Sequence, residues 1–325
     1  MSLTKLGSGV GLLGYYMYHG GSNPDGKLTT LHESRESGYT NDLPEINYDF
    51  NAPIRQYGTI SDNYREIRLL AYFLQDFGAD LAVLPADIDP DFVKPGDTHT
   101  LRVSVRHDDT HGYVFVNNYQ RRLTMDDHKD VVLEGKTKGE PVRFPKTDIA
   151  SGEYAFYPYN MKLGEHFLVS ALATPLCKLT VDGENVYVFY GDKDPQFTWG
   201  TTPAKVLMLT RKQALSAARV SLKSSENQAT QEYLIFSDNF VWEEDGKLTV
   251  VGGEKTEIRT FPKLEENVIP EGFVESGVEG DLTIYTRDLT QSGSNTQGVT
   301  VTFSESAQTS ESLSGKLVNS CGKQQ

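Results

Sequence analysis

The stretch Val10-Gly-Leu-Leu-Gly-Tyr-Tyr-Met-Tyr18 is apolar from end to end and closes on His19-Gly20-Gly21-Ser22-Asn23. A strand with one wet face alternates apolar and polar residues, whereas a continuous apolar run suits a strand covered on both faces, as in a parallel sheet. The run therefore predicts a buried strand over 10–18. A polar stretch follows, from residue 24 to about 58. It is longer than ordinary connections and so is a candidate functional loop. Beyond it, Ile60, Tyr64, Ile67, Leu70, Ala71, Leu74 and Phe77 keep the helical period,. Ser61 is placed to act as N-cap and Gly78 as the C-terminal stop. Strand, long loop and helix in that order make one unit of an α/β barrel or a doubly wound sheet.

After Lys94-Pro95-Gly96 the period changes to two. Leu101, Val103 and Val105 alternate with polar residues, and Val114 and Val116 alternate with Tyr113 and Phe115. Further strand-like runs occupy 166–170, 186–190, 206–209, 233–236, 247–251 and 256–261, separated by Gly, Asp, Asn and Pro turns. Short strands at this spacing predict antiparallel sandwich or jelly-roll-like domains. Only 211–218 reads as helix in that half. Of the last 55 residues, 25 are Ser, Thr, Gly or Asn, which marks either the start of a further β-module or a loose tail,. The expected organisation is 1–94 as an α/β part, 95–270 as antiparallel β-domains, and 271–325 as that final segment.

Composition removes several functions. Of the 325 residues, 38% are hydrophobic and 23% charged, enough apolar material for a core and against wholesale disorder,. The formal charge is −14, from 31 basic and 45 acidic residues, which argues against a partner held by its phosphate backbone,. No apolar run approaches the 18 or so residues of a membrane-spanning helix, and the start of the chain shows no signal-peptide pattern. Neither nucleic acid nor membrane is expected as a partner. Oligomeric state and compartment stay open, with a bacterial cytoplasm favoured. Cys177 and Cys321 are too few for a disulfide framework or a cysteine-based zinc site,.

Three tempting motifs fail on context. Gly9-Val-Gly11-Leu-Leu-Gly14 has dinucleotide spacing but lies inside the strand-like run instead of opening a helix. Asp87-Ile-Asp89-Pro-Asp91 begins like a calcium loop, yet Phe92 stands where glycine is required and Thr98 where the closing glutamate belongs. His107-Asp-Asp-Thr-His111 has the zinc-protease spacing, which works only on a helix. Gly112 and the flanking strands make it a hairpin loop. No metal and no cofactor is expected.

The loop after residue 18 is more specific. Tyr15-Tyr16-Met17-Tyr18-His19-Gly20-Gly21-Ser22-Asn23 resembles the Tyr-Met-Phe-x-Gly-Gly-Thr-Asn segment of family 35 glycoside hydrolases, the β-galactosidases. About 25 residues on, Asn47-Tyr48-Asp49-Phe50-Asn51-Ala52-Pro53 resembles that family's Ser-Tyr-Asp-Tyr-Asp-Ala-Pro. Tyr57-Gly58 and the helix bearing Tyr64 follow in the same order. Two linked motifs at the right separation are a stronger signal than either alone. The stretches 112–118 and 238–242 are also similar to the β-domains of bacterial members.

The resemblance implies a retaining glycosidase acting on terminal β-galactosides, built on an eight-stranded (β/α)8 barrel, a TIM barrel, with β-domains after it. It makes 1–94 the C-terminal part of the barrel domain, its last strand–loop–helix unit. The family's acid/base and nucleophile glutamates lie on strands that precede the Gly-Gly-Thr-Asn segment, so no catalytic residue is expected in this chain and the chain alone is expected to be inactive. Retaining chemistry needs two carboxyl groups about 5 Å apart. Glu33, Glu36, Glu45 and Asp49 are present in the loop, but none stands in a family catalytic motif. What carries over is part of the sugar site. Tyr16 matches a tyrosine lining the galactose pocket, Tyr48 matches the first tyrosine of the second motif, and Phe50 stands at the second without its hydroxyl. A phenol packs its ring on the apolar face of a sugar and bonds a sugar oxygen through its hydroxyl. The expected partners are β-galactosides or glycans. A second expectation belongs to another class, a non-catalytic carbohydrate-binding or structural β-module with Trp199 or Trp242 as a stacking surface.

Overall fold

A computed structural model of the chain describes residues 1–23, 35, 38, 47–88, 93–223 and 230–290. They form two packed units. The first comprises Met1–Lys178 with Asn185–Leu215, the second Leu179–Glu184 with the chain from Ser216 onward. Both are mainly antiparallel sheet.

The first unit is organised by a long helix against a six-stranded sheet. The helix Asp62–Val83 begins where the sequence indicates, with Ser61 in extended conformation at the N-cap position. The Ser61 hydroxyl does not cap the helix but donates to the carbonyl of Pro53 at 3.2 Å. Gly78, expected as the stop, lies inside the helix, which runs on to Val83. A mid-helix glycine costs about 1 kcal/mol, and burying the next apolar position, Leu81 at 1% exposure, outweighs it at roughly 2 kcal/mol. The helix buries Leu69, Phe73, Phe77 and Leu81.

Those side chains meet the sheet whose strands run in the order Ala86–Ile88, Arg102–His107, Gly112–Asn117, Tyr154–Leu163, His166–Ser170 and Thr198–Trp199. Phe73 packs edge-on to Tyr113 and Phe156, with ring centroids 5.5 and 4.5 Å apart. Phe115 stacks on Phe156 at 5.3 Å. The expected hairpin over the two histidines is present, pairing Arg102 with Asn117 through to His107 with Gly112. Gly112 is fixed by close approach, since a Cβ there would fall 2.1 Å from the Arg106 carbonyl oxygen. Buried Arg106 donates to the carbonyl of Leu84 through Nε at 2.9 Å and Nη2 at 2.6 Å, and to that of Leu6 through Nη1 at 3.3 Å. A cation thus sits at the C-terminal ends of the helices Ser2–Gly7 and Asp62–Val83, where the helix dipole favours it,.

The strand expected over 10–18 is absent. The chain there is irregular after the helix Ser2–Gly7, and its first ladder contacts are isolated bridges, His19 with Ile54 and Ser22 with Asn47. Leu12 is 91% and Tyr16 86% exposed. A strand of the buried, parallel kind needs a hydrogen-bonded neighbour on each edge, and no strand among the described residues lies beside 10–18. These residues form no barrel. A parallel strand pair joins Glu184–Tyr190 to Val206–Leu209, in a three-stranded sheet with Thr174–Val181.

The second unit carries a five-stranded antiparallel sheet in the order Ala217–Lys223, Thr230–Phe236, Lys255–Phe261, Leu282–Asp288 and Val274–Glu279. The hairpin of Val241–Glu244 with Lys247–Val250 belongs to the same unit. Its core gathers Val220, Leu222, Tyr233, Ile235, Leu248, Ile258 and Tyr285. The expected boundaries near residues 94 and 270 do not fall at the division between units. The helix ending at Val83 and the strands from Arg102 share one core, and Lys255–Phe261 is hydrogen-bonded to Leu282–Asp288. Residues 291–325 lie outside the described residues. Among the described residues, no helix is long and apolar enough to cross a membrane.

Candidate functional site

The two motifs noted in the sequence meet in space. Gly20 N–H donates to Ile54 O at 2.7 Å, Ile54 N–H to Tyr18 O at 3.0 Å, and Tyr48 N–H to Gly21 O at 2.8 Å. These bonds lay 18–22 against 47–54. Gly20 permits the approach, because a Cβ there would stand 1.8 Å from Asp49 Oδ1. Asp49 organises the second motif from inside. Its backbone N–H donates to Asn47 Oδ1 at 3.0 Å, its Oδ1 accepts from Gln56 N–H at 2.6 Å, and its Oδ2 accepts from Asn47 Nδ2 at 3.2 Å. The Gln56 side-chain amide also bonds the Ser22 hydroxyl, which ties the motifs side chain to side chain. Phe50 and Asn51 then turn through the left-handed region, at φ 44° and 61°. Ala52 N–H closes the turn on Asp49 O at 2.6 Å. Asparagine tolerates that conformation and phenylalanine ordinarily avoids it. The dense bonding around Asp49 holds it in place.

The scaffold brings together all three residues singled out for sugar contact. The hydroxyls of Tyr16 and Tyr48 are 3.1 Å apart and share a hydrogen bond. The rings of Tyr48 and Phe50 meet edge to face, with centroids 4.6 Å apart at 84°. Tyr16 and Phe50 line a cleft of ≈ 610 Å³, and Tyr48 is not among its lining residues. Phe50 exposes 46% of its surface. Asp49, offered by the sequence as a loop carboxylate, does not line the cleft, and both of its oxygens are engaged as described. Glu33, Glu36 and Glu45 lie outside the described residues.

The cleft also holds residues that sequence reasoning missed. Glu66, one turn into the long helix, is the one carboxylate lining it among the described residues. Arg211 Nη2 holds both Glu66 oxygens, at 2.6 and 2.7 Å, and donates to the Tyr154 hydroxyl at 2.8 Å. The Arg211 guanidinium lies over the Tyr154 ring, 4.9 Å from its centroid. Burial pushes the Tyr154 phenol up from its ordinary value, and the nearby Glu66 charge adds to this. Burial also opposes the charge of Arg211, but Glu66, Tyr154 and Tyr190 more than offset it and leave the guanidinium pKa raised. Glu66 and Arg211 are 145 positions apart, so no local pattern links them. Asn117 and Tyr119 line the cleft as well.

Neither histidine of the 107–111 loop joins the other. His111 lies between Asp80, 2.8 Å from Nε2, and Asp108, 3.0 Å from Nδ1, while His107 Nδ1 faces Asp109 at 3.2 Å. The Tyr113 hydroxyl donates to Asp80 Oδ2 at 3.0 Å, so the aspartate bridges loop and core. Of the two tryptophans, Trp199 stacks on Phe197 at 6.0 Å against the core of the first unit, and Trp242 is 40% exposed on the hairpin of the second. Asp89 and Asp91, of the declined calcium-like stretch, lie outside the described residues. The chain matches no protein-family model and no curated protein.

Proposed function

We propose that the chain carries the galactose-facing part of a β-galactosidase-like glycoside hydrolase of the retaining type, with its long helix and preceding loop equivalent to the last unit of the barrel. In this reading Tyr16 and Phe50 contact a terminal β-galactoside, Tyr48 fixes them through the Tyr16 hydroxyl and the Phe50 ring, and the two catalytic glutamates lie outside this set. One observation carries the proposal. Two segments that look like that family's motifs are hydrogen-bonded into one scaffold, and their three aromatic candidates converge, with the Tyr16 and Tyr48 hydroxyls 3.1 Å apart.

The chemistry is consistent with binding. Rings offer the sugar's apolar face a partner, and paired phenols offer its hydroxyls both a donor and an acceptor. Catalysis needs two carboxyl groups across the glycosidic bond. The described lining of the cleft supplies Glu66 alone, and Arg211 engages both of its oxygens.

Galactose titration followed by calorimetry tests the proposal. Tyr48→Phe removes the hydroxyl that bonds Tyr16 and should weaken galactose binding by about 0.5–1.5 kcal/mol, the usual worth of one hydrogen bond. An unchanged affinity would count against the assignment. The purified chain should not turn over a chromogenic β-galactoside. Turnover abolished by Glu66→Gln would place a catalytic carboxylate in the cleft and overturn that part.

The exposure of Trp242 supports the second reading, a non-catalytic carbohydrate-binding module. Loss of glycan binding on Trp242→Ala, with Tyr48→Phe silent, would favour it.

A further inference from the structure

We propose that Tyr119 is a second sugar-contacting aromatic of the cleft, so that the ligand is a neutral oligosaccharide extending beyond a single hexose. This rests on the galactose reading of Tyr16, Tyr48 and Phe50.

Tyr119 is a large ring left 48% exposed, yet its backbone and its neighbours are fixed. It stands two residues beyond the strand Gly112–Asn117. The Asn117 side chain clamps it from both sides: Asn117 Nδ2 donates to Tyr119 O at 3.2 Å, and Tyr119 N–H donates to Asn117 Oδ1 at 3.2 Å. The ring rests on Tyr154, with centroids 6.3 Å apart at 60°. Tyr154 is held in turn by Arg211 through its hydroxyl and its ring face, and Arg211 by Glu66. An aromatic presented half-exposed by such a chain of supports has already given up the freedom that binding would otherwise cost. Its open surface is suited to the apolar face of a sugar ring.

Charge and size select the ligand class. Glu66 is the one charged side chain lining the cleft among the described residues, and Arg211 neutralises it. An ionic ligand would therefore find no free counter-charge among the side chains of the wall,. The remaining polar side chains of the wall are phenols, the hydroxyls of Ser2 and Thr4, and amides including Asn51 and Asn63, which donate and accept as sugar hydroxyls require. The Met1 amino group adds a donor. The cleft volume of ≈ 610 Å³ falls within the range of about 300–1,000 Å³ found for sites that enclose drug-sized ligands, and one hexose leaves much of it empty.

The test titrates the full chain with galactose and with β-1,4-linked galactotriose by calorimetry. The trisaccharide should bind more tightly than galactose. Tyr119→Ala should weaken the trisaccharide about three- to tenfold, the range of one aromatic contact, and leave galactose affinity unchanged. Tyr119→Phe keeps the ring and should retain trisaccharide binding. Galactose binding with no gain for the trisaccharide, or equal losses in Tyr119→Ala and Tyr119→Phe, would overturn the role of Tyr119 and leave the galactose reading standing. Failure of the unsubstituted chain to bind either sugar would remove both.

Discussion

Two apolar runs in this chain have opposite fates. The run 10–18 and the run 112–116 are each continuously apolar, and each begins at or just after a glycine. The second is buried throughout, with Val114 at 0% exposure between two ladder partners, Arg102–His107 and Tyr154–Leu163. The first leaves Leu12 and Tyr16 almost wholly in solvent and forms no strand. A strand is half of a relationship. Apolar sequence supplies the wish to be buried, but the backbone polar groups must also find partners on both edges. The 112–116 run finds them in its own hairpin and in the strand that follows.

The largest expected effect separates the two runs. Phe115→Ala in the covered run should destabilise the first unit by about 3–5 kcal/mol, and Leu12→Ala in the exposed one by less than about 0.5 kcal/mol. Urea unfolding of both variants checks this. Comparable losses would show that Leu12 is packed after all.

An intermediate effect concerns the bonds that the first run's end does make. Gly20→Ala forces a Cβ into Asp49, and overpacking of this kind costs about 1–3 kcal/mol. The cost should be local. Amide exchange at Tyr48 and Ile54 should quicken about five- to 150-fold, and that at Val114 should not change. Quickening everywhere would mean that the motif scaffold and the sheet open together.

The smallest effect is read through pH. Burial raises the phenols of Tyr113, Tyr157 and Tyr190 above their ordinary value, and the neighbouring Asp80 adds to this for Tyr113. A raised folded pKa means that the group's contribution is complete below about pH 10 and is lost as pH climbs toward the folded value. Stability should therefore be flat near neutrality and fall above pH 10, by at most about 1.4 kcal/mol per pH unit for each such tyrosine. Tyr113→Phe should make that alkaline slope shallower by up to one proton's worth. An unchanged slope would show that its ionisation is not coupled to folding.

Much of the sheet was legible because its signals are local. Alternation and turn residues mark strands at 101–105, 113–116, 166–170 and 256–261 without reference to anything distant. The strand Tyr154–Leu163 was less so, because Pro158 sits in its middle and argues against a central strand. Pro158 is tolerated because the pairing with His166–Ser170 begins only at Tyr159. Gly78 misleads in the opposite direction, since a buried Leu81 beyond it carries the helix on. At the candidate site, Tyr16, Tyr48 and Phe50 could be named from motif likeness, but not the meeting of hydroxyls 32 positions apart. Glu66 and Arg211 were beyond reach, because nothing in either neighbourhood encodes its partner.

Arg106 has a consequence for how the long helix stays docked as ionic strength changes. Surface pairs such as Lys129 with Asp148 and Arg143 with Glu134 stand in water, and dissolved salt screens them within about 10 Å at 0.1 M. Arg106 is 3% exposed, and the carbonyl oxygens of Leu84 and Leu6 that it binds belong to helix ends. These dipoles cannot be protonated away near neutral pH, and mobile ions have little access to them. Brine should thus thin out the charge network on the outside of the first unit while leaving helix and sheet fastened at this one internal rivet.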